Sequence, residues 1–407
     1  MPTTRKGRRD RTALFLYTET GGGHRTAAQA IDSALQRLAP ALGIAIQSRL
    51  VDVVSACGHF PLRESILSYG AMLKVRPSPY AAIYHLSNGR KRYRVLGQLG
   101  KPFIIRKFRQ LVADVQPDVV VSVHPLFSVL SRQTIDSLRL PAPLVVIVTD
   151  LVSIHHSWTA ADAADHYVVA SPEAAEVCAE RDIPPAKIHD LGLPIREGFA
   201  PAPADRARSK LALGLDARRR TLLVMAGGEG GGRIPRLLPD IAPTLRALDV
   251  QIVAVAGKNA ALRRKLLKMG GALGEQAKVF GFLENIAEYM QAADALLTKA
   301  GPGTIAEAAA SALPIVVCDY ISGQEAGNLE YVRRRGSGIV AMDAAALGAA
   351  VQRLFSGSDD ELERLRHAAL ASARPDAAAD IARLLVDAAH LALPEEPLGA
   401  AAGSVRV

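Results

Sequence analysis

The apolar residues of this chain fall into short continuous runs separated by stretches of helical spacing, and the alternation is set up twice. Thr12-Ala13-Leu14-Phe15-Leu16-Tyr17 predicts a first buried strand, and Ala27, Ile31, Leu35 and Leu38 then recur at helical intervals. Further apolar runs lie at 118–123, 144–149, 166–170 and 188–191, ending in polar residues such as His124 and Asp150. Strands buried on both faces and alternating with helices predict parallel βαβ units. At Gly192–Pro203 three prolines and two glycines interrupt the pattern as a hinge. The alternation then resumes at 221–226, 251–256, 279–282, 293–298, 313–318 and 338–340. This is an α/β chain of two Rossmann-like domains, 1–200 and 201–369, followed by a helical stretch at 370–392 and a loose tail at 393–407 rich in Pro, Gly, Ala and Glu. Its 407 residues suit two cores better than one.

The loops that follow these strands carry the candidate chemistry, because ligands of open α/β sheets bind at the carboxyl ends of the strands. Thr298-Lys299-Ala300-Gly301-Pro302-Gly303-Thr304 turns from a strand directly into a helix. Free N–H groups and the positive end of the helix dipole there suit a diphosphate. Glu307 is either the acidic partner of a capping box begun by Thr304 or the acceptor of two ribose hydroxyls. Gln324, Glu325 and Asn328 follow the next strand and reach the same edge. Gly227-Gly228-Glu229-Gly230-Gly231-Gly232 lets backbone approach a diphosphate or the transferred sugar, with Glu229 beside the sugar.

In the first half, Gly21-Gly22-Gly23-His24 is a glycine loop without the spacing of a dinucleotide fingerprint. A helix start disfavours imidazolium, so His24 suits a general base. A cap, a surface position, or a loop that binds the phosphate of an anionic lipid are its other readings. Asp150 could orient His24, deprotonate an acceptor itself, or cap a turn. Trp158, the single tryptophan, is in isolation a core residue.

Charge adds a partner. The net charge is +9, and from Ser65 to Ala113 there is no acidic residue, while Arg90, Lys91, Arg92 and Arg94 and several tyrosines fall in that window. A solvated face, nucleic acid and an anionic membrane are the candidates. No helix-turn-helix, zinc or single-strand-binding pattern accompanies the charge, so no nucleic acid is expected; a solvated basic face stays open, and the complete absence of acidic residues over this length favours anionic membrane lipids as the partner. No uninterrupted apolar run reaches the roughly 18 residues of a membrane span. Cys57, Cys178 and Cys318 are scattered and predict reduced thiols in a cytoplasmic protein. The basic start lacks the apolar core of an export signal. The absence of any Asp-x-Asp pair predicts chemistry without a divalent metal or other cofactor. Nothing in the sequence speaks to oligomeric state.

The run from Thr298 through Asn328, with Gly21-Gly22-Gly23-His24, resembles the monogalactosyldiacylglycerol synthases and the related bacterial diacylglycerol glucosyltransferases. The chain is more distantly similar to the transferase that adds N-acetylglucosamine to the lipid-linked peptidoglycan precursor. The resemblance covers about residues 12 to 340. Thr149-Asp150-Leu151 with the later His155 and Trp158 also matches, although His156 stands where the synthases carry a proline.

The resemblance implies the GT-B arrangement, two Rossmann-like domains facing across a cleft, with the helix at 370–392 crossing back to the first. It implies inverting transfer of hexose from UDP-galactose or UDP-glucose to diacylglycerol at the cytoplasmic face of the cell membrane. Gly22, Gly23 and His24 would then stand on the acceptor side, and Trp158 would wall an acyl chain or glycerol backbone. Gly227, Gly228, Gly301, Gly303, Thr304 and Glu307 would hold the donor, with the main chain at Phe282 on the uracil edge. A UDP-sugar epimerase on the same frame, or a non-catalytic sugar-nucleotide or lipid sensor, are the competing classes.

Overall fold

A computed structural model describes residues 11–19, 22–67, 77–160, 163–203, 205–228, 232–273 and 277–391. It contains two six-stranded sheets in which every paired strand is parallel. The first has the order β2-β1-β3-β4-β5-β6, from β1 (Arg11–Tyr17), β2 (Ile46–Asp52), β3 (Val119–Ser122), β4 (Leu144–Ile147), β5 (His166–Val169) and β6 (Ile188–Asp190). The second has the order β12-β11-β10-β7-β8-β9, from β7 (Thr221–Met225), β8 (Gln251–Val255), β9 (Lys278–Phe280), β10 (Ala295–Lys299), β11 (Ile315–Asp319) and β12 (Gly338–Val340).

The central strands are buried on both faces, which is why they read as unbroken apolar runs. β2 was not foreseen. It pairs with β1 alone at the sheet edge, so its sequence IQSRLVD keeps polar residues and lacks a continuous apolar run.

Each sheet reverses its strand order once. The chain leaves β1 for β2 on one side and returns to β3 on the other; it leaves β7 for β8 and returns to β10. These two switch points, β1/β3 and β7/β10, are where crevices open above the carboxyl ends of the strands. The opposite end of the second sheet is closed by charge. Buried Asp294 accepts from Lys210 Nζ at 2.8 Å and from the backbone N–H of Thr221 at 2.8 Å, with Arg206 at 3.1 Å and Arg366 at 3.3 Å.

Two features tie the domains together. The helix Ala377–Leu391 packs Ile381, Ala382 and Leu385 into the first domain's core with Ile31 and Leu35 of the helix Gly23–Ala41. Arg11 Nη1 donates to Ala389 O at 2.8 Å. Nearer the switch points, Gly327 N donates to Ser153 Oγ at 2.9 Å, and Arg335 reaches both oxygens of Glu173 at 3.0 and 3.1 Å.

The acid-free window forms the helices Pro77–Ser87, Arg90–Gly100 and Ile105–Val115. The aromatic residues of this window would suit a lipid surface beside the basic ones, but among the described residues only Phe103 is exposed, at 37%, while Tyr84, Tyr93 and Phe108 point inward. Phe108 joins the apolar core, and the two phenols bury their rings where the hydroxyl finds a carbonyl: Tyr84 donates to Ser153 O at 3.0 Å and Tyr93 to Pro125 O at 3.2 Å. Aliphatic residues take the outer positions: Ile83, Leu86, Val95, Leu96 and Leu99 are all exposed. Arg90, Lys91 and Arg92 are exposed beside them, and the Arg94 side chain lies outside the described residues. Among the described residues no helix is long and apolar enough to cross a membrane. The tail at 393–407 lies outside them as well.

Candidate active site

His24 stands in the first turn of the helix Gly23–Ala41, directly after Gly22, whose φ of 82° provides the left-handed turn out of the loop. Its Nδ1 lies 3.2 Å from Thr149 Oγ1 at the end of β4, and the carbonyl of Val123 after β3 also accepts from the ring. The ring meets His124 edge-on, with centroids 4.5 Å apart, and lies 6.1 Å from the Trp158 ring. Burial pushes its pKa down to about 4, the Val123 carbonyl opposing. An imidazole kept neutral by burial and oriented through Nδ1 by Thr149 has the protonation state a general base needs.

Asp150 does something else. Its Oδ2 accepts from Trp158 Nε1 at 2.8 Å and its Oδ1 from Gln324 Nε2 at 3.3 Å. Burial lifts its pKa to about 6, against the hydrogen bonds of Trp158 and Gln324 and the backbone of His155. The expectation that Asp150 orients His24 is therefore corrected: Thr149, the residue before it in the loop after β4, makes the contact with His24 while both Asp150 oxygens are taken by Trp158 and Gln324. Trp158 is not an open wall. It is 1% exposed, and its indole N–H buries against the carboxylate it holds. His155 is also a structural residue. Nδ1 contacts Ser157 Oγ at 2.6 Å and accepts from Ser157 N, while Nε2 contacts Ser87 Oγ at 3.2 Å, so both ring nitrogens are occupied.

The second crevice opens at the β7/β10 switch point. Gly227 has φ 77°, and a Cβ there would meet Lys299 Cε at 3.0 Å. Gly228 O accepts from Lys258 N at 3.0 Å, which fixes the loop; Glu229 lies outside the described residues. The helix Pro302–Ala310 begins at Gly301 without a side-chain cap, and Thr304 sits inside the first turn. The capping-box reading of Glu307 falls with that, because Pro302 at the first helical position shifts the start ahead of Thr304. Glu307 is half-buried and its carboxylate makes no hydrogen bond among the described residues; burial lifts its pKa to about 7, countered by Arg196 from the hinge. A Cβ at Gly303 would meet nothing within 4 Å, so space stands open over the turn.

Glu325 and Asn328 are engaged within the protein. Glu325 pairs with Lys299 through Oε1 and accepts from Ile321 N at 2.8 Å through Oε2. Asn328 Nδ2 donates to Ala300 O at 2.8 Å and holds the exit from β10. Phe282 is 54% exposed just beyond β9.

The Monogalactosyldiacylglycerol (MGDG) synthase family model matches residues 24–195, and the Glycosyltransferase family 28 C-terminal domain matches residues 221–381. A probable monogalactosyldiacylglycerol synthase 2, chloroplastic, of Oryza sativa subsp. indica is 32% identical over 393 residues, 94% of this chain and 82% of that one. The chain belongs to the monogalactosyldiacylglycerol synthase family. The Spinacia oleracea synthase, also chloroplastic, is 32% identical across 89% of this chain and 70% of its own. As a member of the synthase family the chain is an enzyme, a hexosyltransferase.

Solved structures show the fold. MnaA of S. aureus, a co-structure with UDP, superposes with a TM-score of 0.62 at 11% identity over 95% of this chain and 99% of that one. MurG of Acinetobacter baumannii superposes with a TM-score of 0.61 at 14% identity over 93% and 99%. The fold is that of the GT-B glycosyltransferases and related epimerases.

Three residues of this synthase-family site escaped sequence reasoning. Thr149 and His124 end strands and resemble ordinary polar terminators, and their role depends on how far β1, β3 and β4 bring the loops together. Lys299 was legible as part of the TKAGPGT run, but its neighbours Gly227 and Glu325 are distant in sequence.

Proposed function

We propose that this enzyme transfers a hexosyl group, galactose or glucose, from UDP-sugar to the free hydroxyl of diacylglycerol with inversion, forming a β-glycosyl lipid. The observation that carries the reading is the facing of two switch-point crevices, one with neutral His24 and the other with glycine loops and a helix start, joined by Gln324 and Asp150. His24 removes the hydroxyl proton as the oxygen attacks the anomeric carbon from the face opposite UDP. One displacement gives inversion. Backbone N–H groups at Gly303 and Thr304 face the departing diphosphate, and Glu307 accepts the ribose hydroxyls. The names of the plant relatives and the family match support the galactolipid product.

The acceptor reaches the site from an anionic membrane. Exposed Ile83, Leu86, Val95, Leu96 and Leu99 enter the headgroup layer, and Arg90, Lys91 and Arg92 add roughly 1 kcal/mol each beside anionic lipid. The enzyme binds peripherally to the cytoplasmic face. No divalent metal takes part, as the missing Asp-x-Asp pair suggests.

The test is incubation with radiolabelled UDP-galactose or UDP-glucose and vesicles of diacylglycerol in anionic lipid, followed by lipid chromatography and anomer assignment. A β-glycosyl diacylglycerol supports the reading. Interconversion of the nucleotide sugar without any labelled lipid replaces it with the epimerase reading.

A further inference from the structure

We propose that Lys299 is the cation that takes up the negative charge of the departing diphosphate, and that Glu325 holds its ammonium in position. The inference rests on the donor reading above and adds a residue to it. Lys299 ends β10, one of the two strands that flank the switch point, and the pairing of β10 with β11 shifts register between Thr298 and Lys299. Its side chain then lies between the two loops expected to cradle the donor. Cε would be 3.0 Å from a Cβ on Gly227, and Nζ 3.1 Å from a Cβ on Gly301. Both positions are glycine, so the lysine fills the space their side chains would need.

Its partner is fixed from the other side. Glu325 is almost fully buried, with one oxygen on Lys299 Nζ and the other accepting from Ile321 N at 2.8 Å. The lysine side chain keeps 23% of its surface exposed. A partly exposed ammonium with a buried carboxylate behind it has donors left for an incoming anion, since –NH₃⁺ carries three and accepts none. The position matters because the helix start offers only partial charges, about half an elementary charge. In the transfer the acceptor oxygen bonds to the anomeric carbon and the bond from that carbon to the β-phosphate oxygen breaks. The electron pair stays on that phosphate oxygen and the hydroxyl proton goes to His24. A full positive charge beside the phosphate then stabilises the transition state more than the ground state.

The test compares UDP with uridine by titration calorimetry on the full chain. The wild type should prefer UDP strongly. Lys299→Gln should lose about tenfold or more of UDP affinity while uridine affinity holds, and Lys299→Arg should keep most of the preference. Because Lys299→Gln leaves Glu325 buried without its cation, the doubly neutral Lys299→Gln/Glu325→Gln protein serves as the variant that keeps the fold. It should bind uridine normally and show the same loss for UDP. Equal loss of both ligands in the double variant, or an undiminished preference for UDP in either, overturns the assignment. A wild type that binds UDP poorly but still transfers hexose also overturns it, whereas one that binds neither ligand and transfers nothing removes the donor reading itself.

Discussion

Gln324 and Asp150 belong to opposite domains and touch, the amide Nε2 donating to the carboxylate Oδ1 at 3.3 Å. The contact joins the loop after β11 to the loop after β4, and Trp158 holds the second carboxylate oxygen. Burial makes the carboxylate hard to ionise, so it pulls its pKa up to about 6 from the ordinary carboxylate value.

Stability follows from that shift. Between the unfolded value near 4 and the folded value near 6, the folded protein holds this proton more firmly than the unfolded chain does. Asp150 therefore costs stability increasingly as pH rises through that window, and about 3 kcal/mol above it. Asp150→Asn should gain over the wild type by that order at pH 7 and lose the advantage toward pH 4. Urea unfolding of both proteins at several pH values checks it, and an advantage independent of pH refutes the assignment.

His24 carries the opposite sign. Its pKa near 4 leaves the proposed base neutral at working pH, so this group should leave turnover flat above about pH 5 and depress it tenfold per unit below about 4. His24→Ala should cut transfer by roughly 10²–10⁴ with UDP binding intact. Thr149→Val, which removes the hydroxyl 3.2 Å from Nδ1, should lower kcat by about tenfold with KM for the donor unmoved.

Tyr84 lies on Gly323. A Cβ at Gly323 would stand 2.4 Å from Tyr84 Cδ1, and φ there is 87°, a conformation that suits glycine. Gly323→Ala should destabilise the protein by about 1–3 kcal/mol and raise KM for the donor, because Gln324 is the next residue. Tyr84→Ala in the same chain should recover part of the loss. Double-mutant thermal unfolding reads the coupling; strictly additive effects would show that the two residues do not communicate.

The proposed membrane face divides into two testable parts. Replacing Ile83, Leu86, Leu96 and Leu99 with serine should weaken vesicle sedimentation at any salt concentration. Replacing Arg90, Lys91 and Arg92 with glutamine should weaken it mainly at low salt, because screened charges contribute little beyond the Debye length. UDP binding should be unchanged in both sets.

Chelation gives a last check. Transfer should persist in excess EDTA, and a loss reversed by a divalent ion would put a metal into the donor site.

Most of the strands were legible because a strand buried on both faces is apolar along nearly its whole length, as at Val119–Ser122 and Gln251–Val255, where burial is complete and the one polar residue of each lies at an end. Edge strand β2 was not legible, since one neighbour and a half-exposed face impose no such run. The turns at Gly227 and at Gly301-Pro302-Gly303 were legible for a related reason, since each is a local solution to a local backbone demand.

Contacts between side chains distant in sequence were decided by the tertiary structure alone. Sequence placed His24 at a helix start and Asp150 at a strand end, but their partners depend on which loops adjacent strands bring together and on how the domains meet. Thr149, 125 positions from His24, and Gln324, 174 positions from Asp150, are set by packing rather than by spacing. A short stretch of chain fixes its own conformation through its own backbone; the partner of a buried polar group is whatever the completed fold leaves within about 3 Å of it.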